Sequence, residues 1–584
     1  NQMEQTARRP VGAATVMALP ASEHETVVRS AGIVSAAVLM SRLTGLLREI
    51  VMARLFGAGM AYDAFLLAFR IPNLTRDLFA EGALSSAFVP TFTEYLSRKG
   101  RRDAAELANL VATTLMIVVG GLCVLGMVFS PALVGLLAPG WAASDPGKFA
   151  LAVKMTRLMF PFLLLVALAA QAMGVLNACN QFGIPALASS FFNLGSLGFG
   201  LVIGYWVGPL LGLLPIEGMA YGVVLGGALQ LFGQVPSLRR RGFHLRLKLA
   251  WSHPGLRHIV RLMGPAIIGS AAVQINVMVN TNFASLIIDP QRGPDGPVSW
   301  LSYAFRFMQL PLGLFGVAIA SATLPSVSRS AASGDLEQYR HTLARSLGMV
   351  FLLTVPSSVG LAVLGEPMIG AIYEGGQFQP YDTSQTAMAL SAYAVGLAGY
   401  AAVKVLSPAF YALNDARTPM LVSLGSILVN YVVAVSLTRW AGWGHTGLAL
   451  ATSAVTLFSS VALFWILRNR ISGIHGRALA ASIAKISLAA AIMGAAVAFA
   501  SHAAGAWIGV SRLARLANLA VSVPLGIGVF YLVCRLIKVA EMEAAARALS
   551  APLARLRRLA VLKSEVNGPG SETGCQAPGP GQPE

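Results

Sequence analysis

Acidic residues are scarce in this 584-residue sequence: 25 Asp and Glu stand against 43 Lys and Arg, and charged residues of both signs make up only 12%. A chain so poor in carboxylates has little with which to hold a divalent metal. None of its acids forms an Asp-rich loop motif, and its eight histidines show no metal-ligand spacing. This argues against a metal-dependent enzyme, and no cofactor is implied. Cysteine is scarcer still. Cys123, Cys179, Cys534 and Cys575 lie far apart, without metal spacing or an obvious disulfide pair. The period-two alternation of a β-barrel is missing. Residues 1–30 are polar and end at EHETVVRS, without the short apolar core and small-residue cleavage site of a signal peptide, so the first hydrophobic segment is expected to stay.

What is present is apolar: 55% hydrophobic residues, 59 Gly, 30 Pro and a mean hydropathy of +0.67. Runs of roughly 20 apolar residues recur too often for a soluble core, which predicts an all-α polytopic membrane protein with about fourteen spans. Basic residues gather in alternate loops: Arg98, Lys99, Arg101 and Arg102; then Arg239, Arg240, Arg241, Arg246 and Lys248; then Arg468, Arg470 and Arg477. By the positive-inside rule these loops and both termini lie in the cytoplasm. The same rule accounts for most of the net charge of +18, so no nucleic-acid partner is implied. The tail RALSAPLARLRRLAVLK reads as a basic amphipathic helix for anionic lipid, and the Gly- and Pro-rich residues after it read as disordered.

An internal repeat recurs at an offset of about 235 residues. AFR at Ala68–Arg70 returns at Ala304–Arg306, each followed by a Leu-Phe pair and then by Pro90 or Pro325. Asn180 and Pro185 match Asn414 and Pro419. Six spans separate equivalent positions, so the copies run the same way through the membrane, as in two six-helix lobes related by a pseudo-two-fold along the membrane normal. The predicted divisions are a cytoplasmic N-terminus over 1–30, an N-lobe over 31–242, a C-lobe over 243–470, two further helices over 471–540, and a basic then disordered cytoplasmic tail over 541–584.

Between Ser41 and Gly100 arginines fall inside spanning helices, where an ionised side chain costs about 2.5–3.5 kcal/mol and marks a substrate path. Arg42, Arg48, Arg70 and Arg76 point to an anion. On an ideal helix Arg48 lies about 120° from Arg42, so both face one site only if it is wide or the helix is distorted near Gly45. Pro72 predicts a break between Arg70 and Arg76. Arg54 is expected to snorkel outward. The second half adds Arg306 and Lys404. With Glu49 and Glu81 as the opposing acids, the set leans positive, and arginine's planar fork suits a phosphate. The residues thus reach a transporter of a phosphate-bearing or otherwise anionic substrate.

SRLTGLLREIVMARLFGAG, YDAFLLAFRIPNLTRDLFAEGALSSAFVPTFTEY and GPVSWLSYAFRFMQLPLGLFGVAIASATLPSVSRS resemble the MurJ (MviN) lipid II flippases of the multidrug/oligosaccharidyl-lipid/polysaccharide exporter superfamily, over about residues 31–540. The resemblance implies a bacterial inner-membrane transporter, not an enzyme. Such a protein carries the undecaprenyl-pyrophosphate-linked peptidoglycan precursor lipid II to the outer leaflet by alternating access. It also implies substrate contact by Arg42, Arg48, Arg76 and Arg306 with Ser41 beside the first, gating roles for Asp63 and Glu81, and a lipid-tail groove on the last two helices, while Lys404 is an accessory candidate by its charge alone. Lipid II, membrane lipids and cell-wall synthesis proteins are the implied partners. Two departures stand out. The residue before Arg306 is Phe305 where relatives often carry an acid, and the seventh span offers Gln274, Asn276, Asn280 and Asn282 but no acid before Asp289 for sodium. Asp415 either serves such an ion or caps the next helix. An exporter of another polyprenyl-linked oligosaccharide and a non-transporting scaffold of cell-wall assembly remain the alternative readings.

Overall fold

A computed structural model describes residues 21–76, 84–474, 476–509, 511–543 and 545. Its described residues are helical nearly throughout and divide into two compact units, Asn1–Ser299 with Gly375–Phe378, and Trp300–Glu374 with Gln379–Glu584.

The first unit runs through α1 (Ala21–Phe56), α2 (Met60–Arg76), α3 (Ser85–Arg98), α4 (Arg101–Val128), α5 (Ser130–Leu137), α6 (Pro139–Ser144), α7 (Pro146–Met159), α8 (Pro161–Ala178), α9 (Gly183–Val202), α10 (Pro215–Phe232), α11 (Val235–Arg240) and α12 (Pro254–Ser285). Prolines open many of these helices at the first turn, where the missing N–H costs nothing. Asp145 caps α7 by accepting the Lys148 amide at 3.0 Å. Small residues set the closest helix approach. A Cβ on Gly222 of α10 would lie 2.4 Å from the Ser196 carbonyl of α9, so only glycine fits there. An apolar core of Phe88, Phe92, Leu107, Val111, Leu163 and Ala167 joins α3, α4 and α8, and α12 packs on α3 to α6.

The second unit begins within α13 (Pro297–Pro311) and continues through α14 (Val317–Ala332), α15 (Leu336–Ile372), α16 (Pro380–Ala412), α17 (Arg417–Val435), α18 (Gly444–Arg470), α19 (Gly476–Ile508) and α20 (Arg512–Leu536). Buried hydroxyls tie its helices through backbone carbonyls: Tyr339 donates to Ala409 at 2.9 Å, Ser453 to Ala392 at 2.7 Å and Thr456 to Gly396 at 3.0 Å. The pair α19 and α20 rests on α15 through Leu352, Leu364, Ile486, Met493 and Phe530. An Arg515–Glu374 ion pair at 2.5 Å and an Arg512 bond to the Ala371 carbonyl at 2.9 Å hold the start of α20 to the same unit.

The repeat is visible in the backbone. Asn180 and Asn414 both take φ of 56°, the left-handed conformation that ends a helix. Each lies in the same six-to-one closure, with the Gln181 amide bonded to the Leu176 carbonyl and the Asp415 amide to the Phe410 carbonyl. The helical stretches before these corners, Pro146–Ala178 and Pro380–Ala412, are both 33 residues long. After the corners, α9 and α17 each widen into a π-helical turn, Ile203–Val207 and Ser436–Trp440. A third π turn, Leu312–Gly316, separates α13 from α14.

Eleven helical stretches among the described residues are long and apolar enough to cross a membrane. The other three expected spans fall on α1, on α2 with the residues after it that lie outside those described, and on α12.

Candidate substrate-binding residues and a buried charge node

α1 is continuous, so no distortion at Gly45 brings Arg42 and Arg48 to one side. Arg42 is exposed and Arg48 is half-buried, its guanidinium 5.2 Å from the Phe192 ring centroid on α9. α9 fixes this face of α1 by a second contact. The Asn193 amide nitrogen donates to the Ser41 carbonyl at 3.2 Å and to Thr44 Oγ1 at 3.4 Å. Gly45 leaves room for it, since a Cβ there would meet Asn193 Nδ2 at 3.3 Å. Ser41 therefore meets α9 through its backbone oxygen.

The predicted break at Pro72 does not occur within α2, which stays helical from Met60 through Pro72 to Arg76. Arg70 is engaged inside the unit, Nη1 donating to Thr281 Oγ1 of α12 at 2.5 Å. Arg76, half-buried, is the last described residue of α2. Glu81 lies outside the described residues, as does Asp77. Arg54 does not reach outward: its Nε and Nη2 are buried and it is half-buried as a whole. The loop Gly375–Phe378 covers the last turn of α1, with the Gln377 amide bonded to the Arg54 carbonyl at 2.9 Å.

Asp63, in the first turn of α2, is fully buried and lies in a compact polar node. Its Oδ2 accepts from Lys148 Nζ and the Gly296 amide, both at 2.8 Å. Its Oδ1 accepts from the Ser299 amide at 2.8 Å and the Ser299 hydroxyl at 2.5 Å. Lys148 is also fully buried; its ammonium meets the Pro294 carbonyl at 2.8 Å and Asp295 at 2.9 Å, and sits 4.4 Å from the Trp141 ring centroid. All three ammonium donors are thus used, the condition under which burying a charge is tolerated. Removing one member of a buried pair costs about 3–5 kcal/mol, because the other is left uncompensated. The node pins the segment ahead of α13, the helix that carries Arg306. Sequence reasoning passes over Lys148 because it lies in a weakly basic connection. In the repeat Lys148 and Asp382 occupy equivalent positions, two residues into Pro146–Ala178 and Pro380–Ala412, but that match does not point to Asp63 or Asp295.

In the second unit Arg306 is exposed on α13. Phe305 packs edge-on to Tyr393 of α16 at 5.5 Å, so the position where an acid was missing is an aromatic contact. Lys404 is exposed, 5.7 Å from the Tyr400 ring centroid. Asp382 is buried, accepting from Trp300 Nε1 at 3.1 Å and from the Gln379 amide at 2.9 Å. Asp415 opens α17: Oδ1 accepts the Arg417 and Thr418 amides at 3.1 Å, and Oδ2 accepts the Thr418 hydroxyl at 2.7 Å. Arg470 pairs with it. The Thr418 hydroxyl first, then the Thr418 amide, with Arg470 alongside, hold its carboxyl below the usual carboxylate range. That geometry is a helix cap.

Apolar helices crossing a bilayer, a duplicated helical architecture and exposed arginines on α1 and α13 define a multi-pass membrane transporter. A family model described as "Lipid II flippase MurJ" matches residues 52–518. A Burkholderia cenocepacia protein named "Lipid II flippase MurJ" is 36% identical over 445 residues, 75% of this chain and 83% of the relative. A Vibrio cholerae protein named "Probable lipid II flippase MurJ" is 34% identical over 498 residues, 83% and 92% of the two chains. The chain belongs to the lipid II flippase MurJ family. A solved structure titled "Lipid II flippase MurJ, inward closed conformation" superposes with a TM-score of 0.69 at 26% identity, covering 86% of this chain and 99% of the other. An inward-facing MATE-family multidrug transporter of the MOP superfamily, at 16% identity and a TM-score of 0.57, covering 76% and 94%, shares the fold.

Proposed function

We infer that this chain is a flippase for lipid II, serving peptidoglycan synthesis in the bacterial inner membrane. It moves the lipid from the cytoplasmic to the outer leaflet by alternating access, with both termini in the cytoplasm. The observation that carries the substrate assignment is the exposure of Arg42 on the 36-residue α1 and of Arg306 on the 36-residue stretch Pro297–Ala332, in a chain otherwise poor in charge. With Arg48, Arg76 and Ser41 they form the set that contacts the pyrophosphate. Each guanidinium offers a forked pair of donors that a lysine does not. Lys404 adds positive charge on the second lobe, and Asp63 and Glu81 act in gating. For Asp63 the support is its node with Lys148, Asp295 and Ser299, which must loosen if the start of α13 is to move. The pair α19 and α20 carries the lipid tail.

The test is translocation of lipid II by the full chain in proteoliposomes. Moving a dianion from a negative to a positive compartment is favourable by about 4.6 kcal/mol at 100 mV. Asp415, the acid left over for sodium, is occupied as a cap. Collapsing the potential with potassium and valinomycin is therefore expected to slow net export, whereas replacing sodium by choline at fixed potential leaves it unchanged. Sodium dependence at fixed potential would overturn the energetic reading, and export unchanged by Ala at Arg42, Arg48, Arg76 and Arg306 together would overturn the substrate set.

A further inference from the structure

At the basic end of α18 an open cleft of about 440 Å³ is lined by Trp465, Arg468, Asn469, Ser472 and Gly473. Its floor is fixed by backbone bonds: the Ile471 amide donates to the Leu467 carbonyl at 3.1 Å and the Gly473 amide to the Arg468 carbonyl at 2.9 Å. Arg340 Nε, from α15, donates to the Ile471 carbonyl at 2.7 Å, and Ile471 and Ile474 are buried beneath. The turn's backbone is thereby occupied, leaving the Arg468, Asn469 and Ser472 side chains as the polar groups that line the opening.

The arginines around this cleft are not alike. Arg470 pairs with Asp415 and Arg340 with Glu337. No carboxylate among the described residues pairs with Arg468, whose guanidinium instead lies 5.7 Å from the Trp465 ring centroid. A cation–π contact engages the guanidinium charge without using its N–H donors, which leaves them for a phosphate. Along α18 an apolar stripe leads away from it, with Phe458, Val461 and Trp465 at helical spacing and 38%, 64% and 58% exposed. A free anion would use the arginine alone, whereas a lipid would use the arginine for its headgroup and the stripe for a chain.

We propose that this cleft binds the phosphate of an anionic phospholipid, with Arg468 and Asn469 on the phosphate, Ser472 at its edge, and an acyl chain along Phe458, Val461 and Trp465. The site faces the cytoplasmic leaflet if the basic loops are cytoplasmic, and it does not depend on which substrate the transporter carries. Native mass spectrometry of the purified full chain, titrated with phosphatidylglycerol or phosphatidylcholine, tests it. The wild type is expected to retain phosphatidylglycerol about tenfold better than phosphatidylcholine, and R468Q and W465L to lose most of that preference. R468K, which keeps charge without the fork, is expected to fall between, and R417Q, at another exposed basic position, to match the wild type. Thermal unfolding of each variant distinguishes loss of the site from loss of the fold. Equal preference in wild type and R468Q, with both folded, would overturn the proposal. Complete displacement of phosphatidylglycerol by inorganic phosphate at about 10 mM would also overturn the lipid assignment, showing a site for the free anion.

Discussion

At the corner after α8 and the corner after α16 the chain makes the same turn around the same residue, Asn180 and Asn414, at identical φ. Near the start of the helical stretches leading into those corners the chemistry is reversed. Lys148 in the first unit serves as counter-ion to Asp63, whereas the equivalent Asp382 in the second accepts from an indole and a backbone amide. Turn geometry is set by backbone sterics and a few capping bonds, which most surface sequences tolerate, so it survives divergence. A buried charge survives only with its partners, so each half keeps its own sign of charge with its own set of partners.

The largest effect in either half is expected at the arginines. Arg48→Ala in the first half and Arg306→Ala in the second are each expected to lower lipid II translocation by more than about tenfold without impairing membrane insertion, and Arg→Lys to fail at one of them or both. Proteoliposome assays at matched protein incorporation measure this. Loss confined to one half would show that only that half holds the pyrophosphate.

Next in size is the buried node. Lys148→Met should destabilise the chain by about 3–5 kcal/mol, leaving two carboxylates uncompensated, and adding Asp63→Asn should recover part of that loss. Asp382→Asn should cost less, about 1–3 kcal/mol, because the amide oxygen can still accept from Trp300 Nε1 and the Gln379 amide. Thermal unfolding in detergent ranks the three. Equal costs at Lys148 and Asp382 would mean that the halves differ in sequence but not in energetics.

The smallest effect is expected at the corners. Asp415→Ala should lower Tm by about 1–3 °C at neutral pH, in line with a cap worth about 1 kcal/mol. Because the folded carboxyl titrates below its usual value, that contribution is present at neutral pH and fades as the pH falls through the folded value. Gln181, its counterpart in the first half, carries no such charge, so Gln181→Ala should show no acid dependence. Unfolding midpoints measured from pH 7 down to about pH 3 separate the two corners.

The sequence made the repeat, the apolar spans and the arginine-bearing helices legible because each is written locally, in hydropathy and in short matched strings. Asp415 as a cap was also readable, since the two amides and the hydroxyl it binds lie within three residues. Lys148 was not, because its partners Asp63 and Asp295 are distant in the chain and only packing brings them together. Pro72 misleads for the opposite reason. A local rule predicts a break, yet α2 stays helical through that residue. Arg54 likewise follows the loop laid over it rather than its own tendency to seek water.

The π turns that end α9 and α17 carry a further meaning. A π turn holds more residues than an α turn, so it widens the helix and shifts the register of the residues beyond it. The tryptophans of these turns, Trp206 and Trp440, are 75% and 82% exposed. Indole favours the boundary between headgroups and hydrocarbon, and a helix shorter or longer than the local bilayer strains that preference. Each half therefore carries its own float at the end of the corresponding helix. A change in bilayer thickness would bear on the same point of both repeats.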